Sequence, residues 1–270
     1  MSAVQDLIGV EESRTRTLRL PAAAETVLEL ARVQARRILR HPALLVSLVW
    51  VALGVSFGLP DTPYEQYSLV TGMVIFMTGP AAFFAANLVA TSGRRSSADE
   101  WTPALPMPAL RRTGALLLAG VGVGGVALAI QLLLVAIAYD QPLLELRWTH
   151  VLSVPVAITG AVVLGVAVAR LLPWPGAPLL VMAALTAANI WTENNEPFLG
   201  AYVDFAQWTG SDAIPGLRPG SGAWHLVYLL ALVGLAAFGA VLRDVRRLWI
   251  PVLGGAVCGT LVLVAGALQL

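Results

Sequence analysis

The stretch RRSSADEWTPALPMPALRR, residues 94–112, is a polar island between two long apolar runs. Arg94 and Arg95 open it, Arg111 and Arg112 close it, and Asp99 and Glu100 lie inside. The flanking runs, residues 68–91 and 113–139, each exceed the roughly 20 apolar residues needed to cross a bilayer as a helix. Working outward adds runs at 43–60, 151–171, 176–191, 223–242 and 249–268. The run at 176–191 is short and is prefaced by Pro173, Pro175 and Pro178, so it reads as a tilted, broken or partly re-entrant crossing.

Composition agrees with this. The chain has 270 residues, 57% hydrophobic and 12% charged, with a mean hydropathy of +0.76. A soluble domain carries about 25% charged residues. The expected fold is an all-α integral membrane protein. It has about seven transmembrane helices, six plus one at the C-terminal side. An amphipathic interfacial helix precedes them.

That helix falls at 22–41. Glu25, Glu29, Arg32, Arg36 and Arg40 recur at spacings of three and four on one face. Val27, Leu30, Ala31 and Ile38 lie opposite, with Leu28, Ala35 and Leu39 beside them. An arginine-rich amphipathic helix running into an apolar span suits the membrane interface. Residues 1–20 are polar and do not read as a cleavable signal peptide. The chain divides into a tail and interfacial helix at 1–41 and a polytopic domain at 42–270. An outer loop at 192–222 carries Phe198, Tyr202 and Phe205 at helical spacing, as in a short hairpin dipping into the outer interface.

Arginine placement sets the orientation. With the N-terminus cytoplasmic and seven strict alternations, fifteen of the 17 basic residues fall inside, and only Arg147 and Arg218 fall outside. The C-terminus is then outside. Asp61, Glu65, Asp140, Glu145, Glu193, Glu196, Asp204 and Asp212 all fall outside as well.

All 17 basic residues are arginine. A Walker A loop needs a lysine, so this chain holds no P-loop nucleotide site. Its net charge of +1 gives no field for nucleic acid. The single cysteine, Cys258, lies within an apolar run and reads as a small packing residue. Gly120, Gly122 and Gly125 spell GxGxxG inside a continuous span. Close helix packing through Gly120 and Gly124, and likewise Gly54/Gly58 and Gly255/Gly259, is the better reading. His41, His150 and His225 lack the spacing of a metal site.

The span cores hold no Asp, Glu, Arg or His, which argues against proton coupling and against an intramembrane enzyme. No catalytic cluster, metal or cofactor is expected. Asn87, Gln131 and Asn189 are the polar candidates for lining a translocation path; polar amides in spans also serve as helix–helix hydrogen bonds.

Within the island, Ser97 and Glu100 make a capping-box pattern, and Asp99 and Glu100 suit a helix N-terminal turn. Pro103 limits that helix to about one turn, and Pro106 and Pro108 punctuate the rest of the loop. Trp101 and Leu105 give the elbow an apolar side. A plain connector is the competing reading.

This layout resembles the membrane permease subunits of ATP-binding-cassette (ABC) exporters of the second exporter class, particularly small actinobacterial ones. The likeness rests on ELARVQARRILRHPALL at 29–45, RRSSADEWTPALPMPALRRTGALLLAG at 94–120, the outer hairpin, and the missing ATPase motifs. It covers most of residues 24–245, and its motifs are loose. Pro103 and the added seventh span depart from the family pattern.

The resemblance implies a coupling helix at the island. Asp99, Glu100 and Trp101 would dock on a separate ABC ATPase subunit, flanked by Arg94, Arg95, Arg111 and Arg112. It also implies pairing as a homodimer or with a second permease in the plasma membrane, and export of an unidentified amphipathic, drug-like or peptide-like cargo. A non-transporting membrane scaffold or regulator, and a membrane-embedded enzyme, are the alternative readings.

Overall fold

The computed structural model describes residues 22–57, 63–95, 107–138, 148–195 and 220–269. These residues form helices and no strand. In chain order the helices are α1 (Ala22–Leu39), α2 (Pro42–Ser56), α3 (Pro63–Met73), a π-helical turn (Val74–Thr78) and α4 (Gly79–Arg95). After these come α5 (Ala109–Ala138), α6 (Trp148–Leu171), α7 (Ala177–Asn195), α8 (Gly222–Val241) and α9 (Trp249–Leu268).

Among the described residues, five helical stretches are long and apolar enough to cross a membrane: Leu69–Gly93, Ala109–Ile137, Trp148–Leu171, Gly222–Val241 and Trp249–Leu268. The pair α1 and α2, bent by 58°, passes the same test jointly and makes up to six. The run expected at 43–60 forms a helix of 15 residues, about 22 Å long, short of the roughly 30 Å core. The run expected at 176–191 forms a shorter apolar helix, Ala177–Trp191.

The bend between α1 and α2 has a local cause. Pro42 has no N–H to offer Ile38, and its ring forces the preceding residue out of the helical region. His41 accordingly sits at φ −67°, ψ 133°. Its Nδ1 accepts from the Ala43 N–H at 3.3 Å, so the residue that stops α1 also caps α2.

The apolar stripe of α1, expected to rest on lipid, is turned onto protein. Ala31 and Ile38 are buried, and Ala35 lies against Gly122 of α5. Glu25, Glu29, Arg32, Arg36, Arg37 and Arg40 stay exposed, with an ion pair between Glu29 and Arg32. The sequence pattern does not say what covers the apolar side of α1, and Leu28, expected beside it, is exposed.

The π-turn is explained by Pro80. A proline there cannot donate to Phe76, and its ring crowds that carbonyl. Widening the helix by one residue relieves the clash. The bulge carries Phe76 and Met77, both exposed, while Val74, Ile75 and Thr78 face the core.

Helix α6 is the hub. It packs against α4, α5 and α8, and more lightly against α7. Val154, Ile158, Val162, Val166 and Ala167 form its share of the main core, meeting Ala82, Ala85 and Ala86 of α4 and Leu116, Ala119, Val123 and Ala127 of α5. Helix α9 packs on α8, where Cys258 Sγ lies 2.7 Å from where a Cβ would stand on Gly234. Most other large side chains of α9, including Val252, Leu253, Val257 and Leu263, are exposed and suited to lipid.

Candidate coupling end and intramembrane polar residues

Contacts between distant segments define two ends of the bundle. At one end the Thr113 hydroxyl donates to the Asp244 carboxylate, joining the second turn of α5 to the turn between α8 and α9. At the same end Leu171, closing α6, lies 3.5 Å from where a Cβ would stand on Gly239. At the other end Tyr67 meets Gln131 and the His150 ring, Thr149 meets Gly222, and Gln269 meets Ser221 and His225.

The first end holds the close of α4 and the start of α5, the two helices that flank the expected coupling loop. Arg94 and Arg95 are the last two residues of α4. Arg111 is exposed and Arg112 partly buried in the first turn of α5, and both backbone N–H groups donate to the Pro108 carbonyl, at 3.0 and 3.3 Å. Asp99, Glu100 and Trp101, with the capping box at Ser97, lie outside the described residues.

Two arginines at the start of α5 oppose the helix dipole. Asp244 supplies the missing negative charge from across the bundle, through its bond to the fully buried Thr113. Sequence reasoning passes over both residues. The available signal is Asp244 itself, the one acid in the arginine-rich segment RDVRR at 243–247.

The three path candidates take separate places. Asn87, 3% exposed, donates through Nδ2 to the Gly165 carbonyl of α6 at 3.1 Å. The helices are pressed together there, since a Cβ on Gly165 would run into the Phe83 carbonyl of α4. Gln131, 1% exposed, donates to the Tyr67 hydroxyl at 3.3 Å, and its Oε1 has no partner among the described residues. Asn87 stands roughly 30 Å further along the helical run from Tyr67, so these two amides do not share a site. Asn189 is partly buried on α7.

The glycine stripe on α5 lies at a helix crossing. A Cβ on Gly120 would stand 3.2 Å from Val162, and one on Gly124 would stand 2.5 Å from the Pro155 carbonyl. Thr159 adds a hydroxyl bond to the Gly120 carbonyl at 3.3 Å. The stripe at Gly255 and Gly259 differs: Gly259 has open space beside it.

The histidines serve three local structures. His41 caps α2, His150 packs its ring on Tyr67, and buried His225 bonds Gln269 at 3.0 Å. Among the described residues no three His, Cys, Asp or Glu side chains converge to hold a metal ion. Comparison with protein-family models, with curated proteins and with solved structures finds no match to this chain.

Proposed function

We propose that the chain is the transmembrane permease subunit of an ABC-type exporter, driven by ATP hydrolysis on a separate ATPase subunit. In this reading the polypeptide crosses the plasma membrane seven times, with α2 and α7 counted as crossings. The N-terminus is cytoplasmic and the C-terminus outside. It pairs with a second copy or with a sister permease, and the cargo is apolar or amphipathic.

The observation that carries the reading is the grouping of segments at one bundle end. The polar loop 94–112 leads into the turn of α5 that bonds Asp244, and the end of α6 reaches the end of α8 beside it. Fifteen of 17 arginines fall on that side when seven crossings alternate. Motion of an ATPase docked on 94–112 would pass directly into α5, which the Gly120–Gly124 crossing ties to α6. Coupling then requires that the ATPase bind the inward- and outward-open permease states with different affinity.

The test is co-purification of the tagged chain with an ATPase subunit from native membranes, followed by ATP turnover in proteoliposomes. Glu100→Arg is expected to abolish stimulation of turnover by the permease. Wild-type stimulation by that variant removes Glu100 from the docking face. A chain that captures no ATPase fits the scaffold reading instead. A topology reporter fused after Leu270 is expected to read outside; a cytoplasmic signal removes one of the seven crossings.

A further inference from the structure

The Thr113–Asp244 bond has a second effect, on charge. It holds the turn 242–248 against the start of α5, so Arg111 and Arg112 share one bundle end with Arg243, Arg246 and Arg247. Arg111, Arg243, Arg246 and Arg247 are exposed, and none forms an ion pair among the described residues. Asp244, the only acid in the turn, has its carboxylate engaged by Thr113. The described residues thus bring several exposed arginines to one bundle end, and the acid of the 242–248 turn is already engaged.

Beyond the cluster the chain turns apolar. Leu248, Trp249 and Ile250 are 57%, 61% and 49% exposed, and Val252 and Leu253 continue that exposed face along α9. An arginine cluster that gives way at once to a tryptophan and a lipid-facing helix stands at the boundary between water and hydrocarbon. That is the level of lipid phosphates, and guanidinium groups bind phosphate through paired, parallel N–H donors.

We propose that this end of the bundle, formed by Arg111, Arg243, Arg246 and Arg247 with Trp249 beside them, is a binding site for the headgroup of an anionic phospholipid. Asp244 positions the turn through Thr113 and does not touch the phosphate. The inference does not require the chain to transport anything, so it stands or falls separately from the permease reading. A soluble acidic protein is the competing partner for such charge. The continuity with exposed Leu248, Trp249 and Ile250 favours lipid, because that apolar surface belongs in the bilayer and not in a soluble interface.

The experiment is native mass spectrometry of the purified full chain in neutral detergent. It is titrated separately with dioleoylphosphatidylglycerol, dioleoylphosphatidylcholine and glycerol 3-phosphate. Each arginine seated at a lipid headgroup contributes on the order of fivefold to anionic-lipid affinity, so wild type is expected to prefer phosphatidylglycerol over phosphatidylcholine by about tenfold or more. The triple variant Arg243→Gln, Arg246→Gln, Arg247→Gln is expected to bring the two lipids within about twofold, with phosphatidylcholine binding unchanged. Thr113→Val, which frees the turn but keeps every arginine, is expected to lower the preference by about threefold.

The control is Arg32→Gln with Arg36→Gln on the exposed face of α1, expected to keep the preference. Should the triple variant fail to fold, Arg246→Gln alone is read against the same control, with an expected loss of about fivefold. A preference that survives loss of Arg243, Arg246 and Arg247, or falls equally in the α1 control, overturns the site. Equal binding of glycerol 3-phosphate makes it a soluble-phosphate site and overturns the lipid assignment. A wild-type ratio near one does the same and returns the cluster to a soluble acidic partner.

Discussion

Gly124 and Gly259 each sit in a small-xxx-small pair, yet their surroundings are opposite. A methyl group on Gly124 would press on the Pro155 carbonyl and the Thr159 hydroxyl, whereas one on Gly259 would meet nothing within 4 Å. Backbone cannot retreat as a flexible side chain can. Gly124→Ala is expected to destabilise the detergent-solubilised protein by about 1–3 kcal/mol, while Gly259→Ala changes it by less than about 0.5 kcal/mol. Thermal unfolding of the two variants side by side checks this, and equal stabilities would show that the α5–α6 crossing is looser than described. The sequence pattern marks both pairs and cannot rank them, because the spacing of small residues is a property of one helix and close approach a property of two. The same limit applies to Asn87. Its amide reads equally well as a lining residue or as a clamp until Gly165 is placed beside it.

At the scale of elements, the π-turn makes a sharper claim than a kink would. Tyr67 above it is fixed by Gln131, and Asn87 below it by Gly165. The extra residue is absorbed between these two fixed points, on the exposed side, by Phe76 and Met77. Deleting Phe76 together with Pro80→Ala removes both the surplus residue and the reason for it. Folding yield is expected to stay near that of the parent, because neither contact rotates. Deleting Ala82, which is fully buried, turns one half of the helix by roughly 100° against the other and is expected to abolish folding. Expression and then size-exclusion recovery read both outcomes; equal losses would mean that the bulge itself is required.

The apolar runs make the helices of the described residues legible, since length and hydropathy act locally. The α1–α2 break is visible in Pro42, yet the pattern reads as a smooth passage from interfacial helix to span. What the sequence does not convey is that Ala35 faces α5 and that Ala31 and Ile38 are buried inside the bundle. An amphipathic stripe specifies an apolar neighbour and does not distinguish lipid from protein.

For the whole molecule, the attachment of α9 is the most exposed feature. It leans on α8 through the Gly234–Cys258 contact and is closed at its far end by Gln269. Gln269 accepts from the Ser221 N–H at 3.0 Å through its carbonyl and bonds His225 through its side chain. Gln269→Ala removes the side-chain bond from buried His225. It is expected to cost about 1–3 kcal/mol and to speed maleimide labelling of Cys258, the single cysteine of the chain. Unchanged labelling would show that α9 is held by its apolar face alone. Hydropathy marks α9 as a further run long and apolar enough to cross a membrane. It gives no sign of this closure, because Ser221, His225 and Gln269 are polar residues scattered at the edges of two runs.

The Thr113–Asp244 bond also carries a statement about time. Its partners are separated by 131 positions, so α5 emerges from the ribosome long before Asp244 exists as a peptide. Through that interval the first turn of α5 holds two arginines against its own dipole without the carboxylate that later offsets them. Closure of the arginine-bearing end is therefore a late event of biosynthesis. It is scheduled by translation of the α8–α9 turn, and a nascent chain halted short of residue 244 keeps that end open.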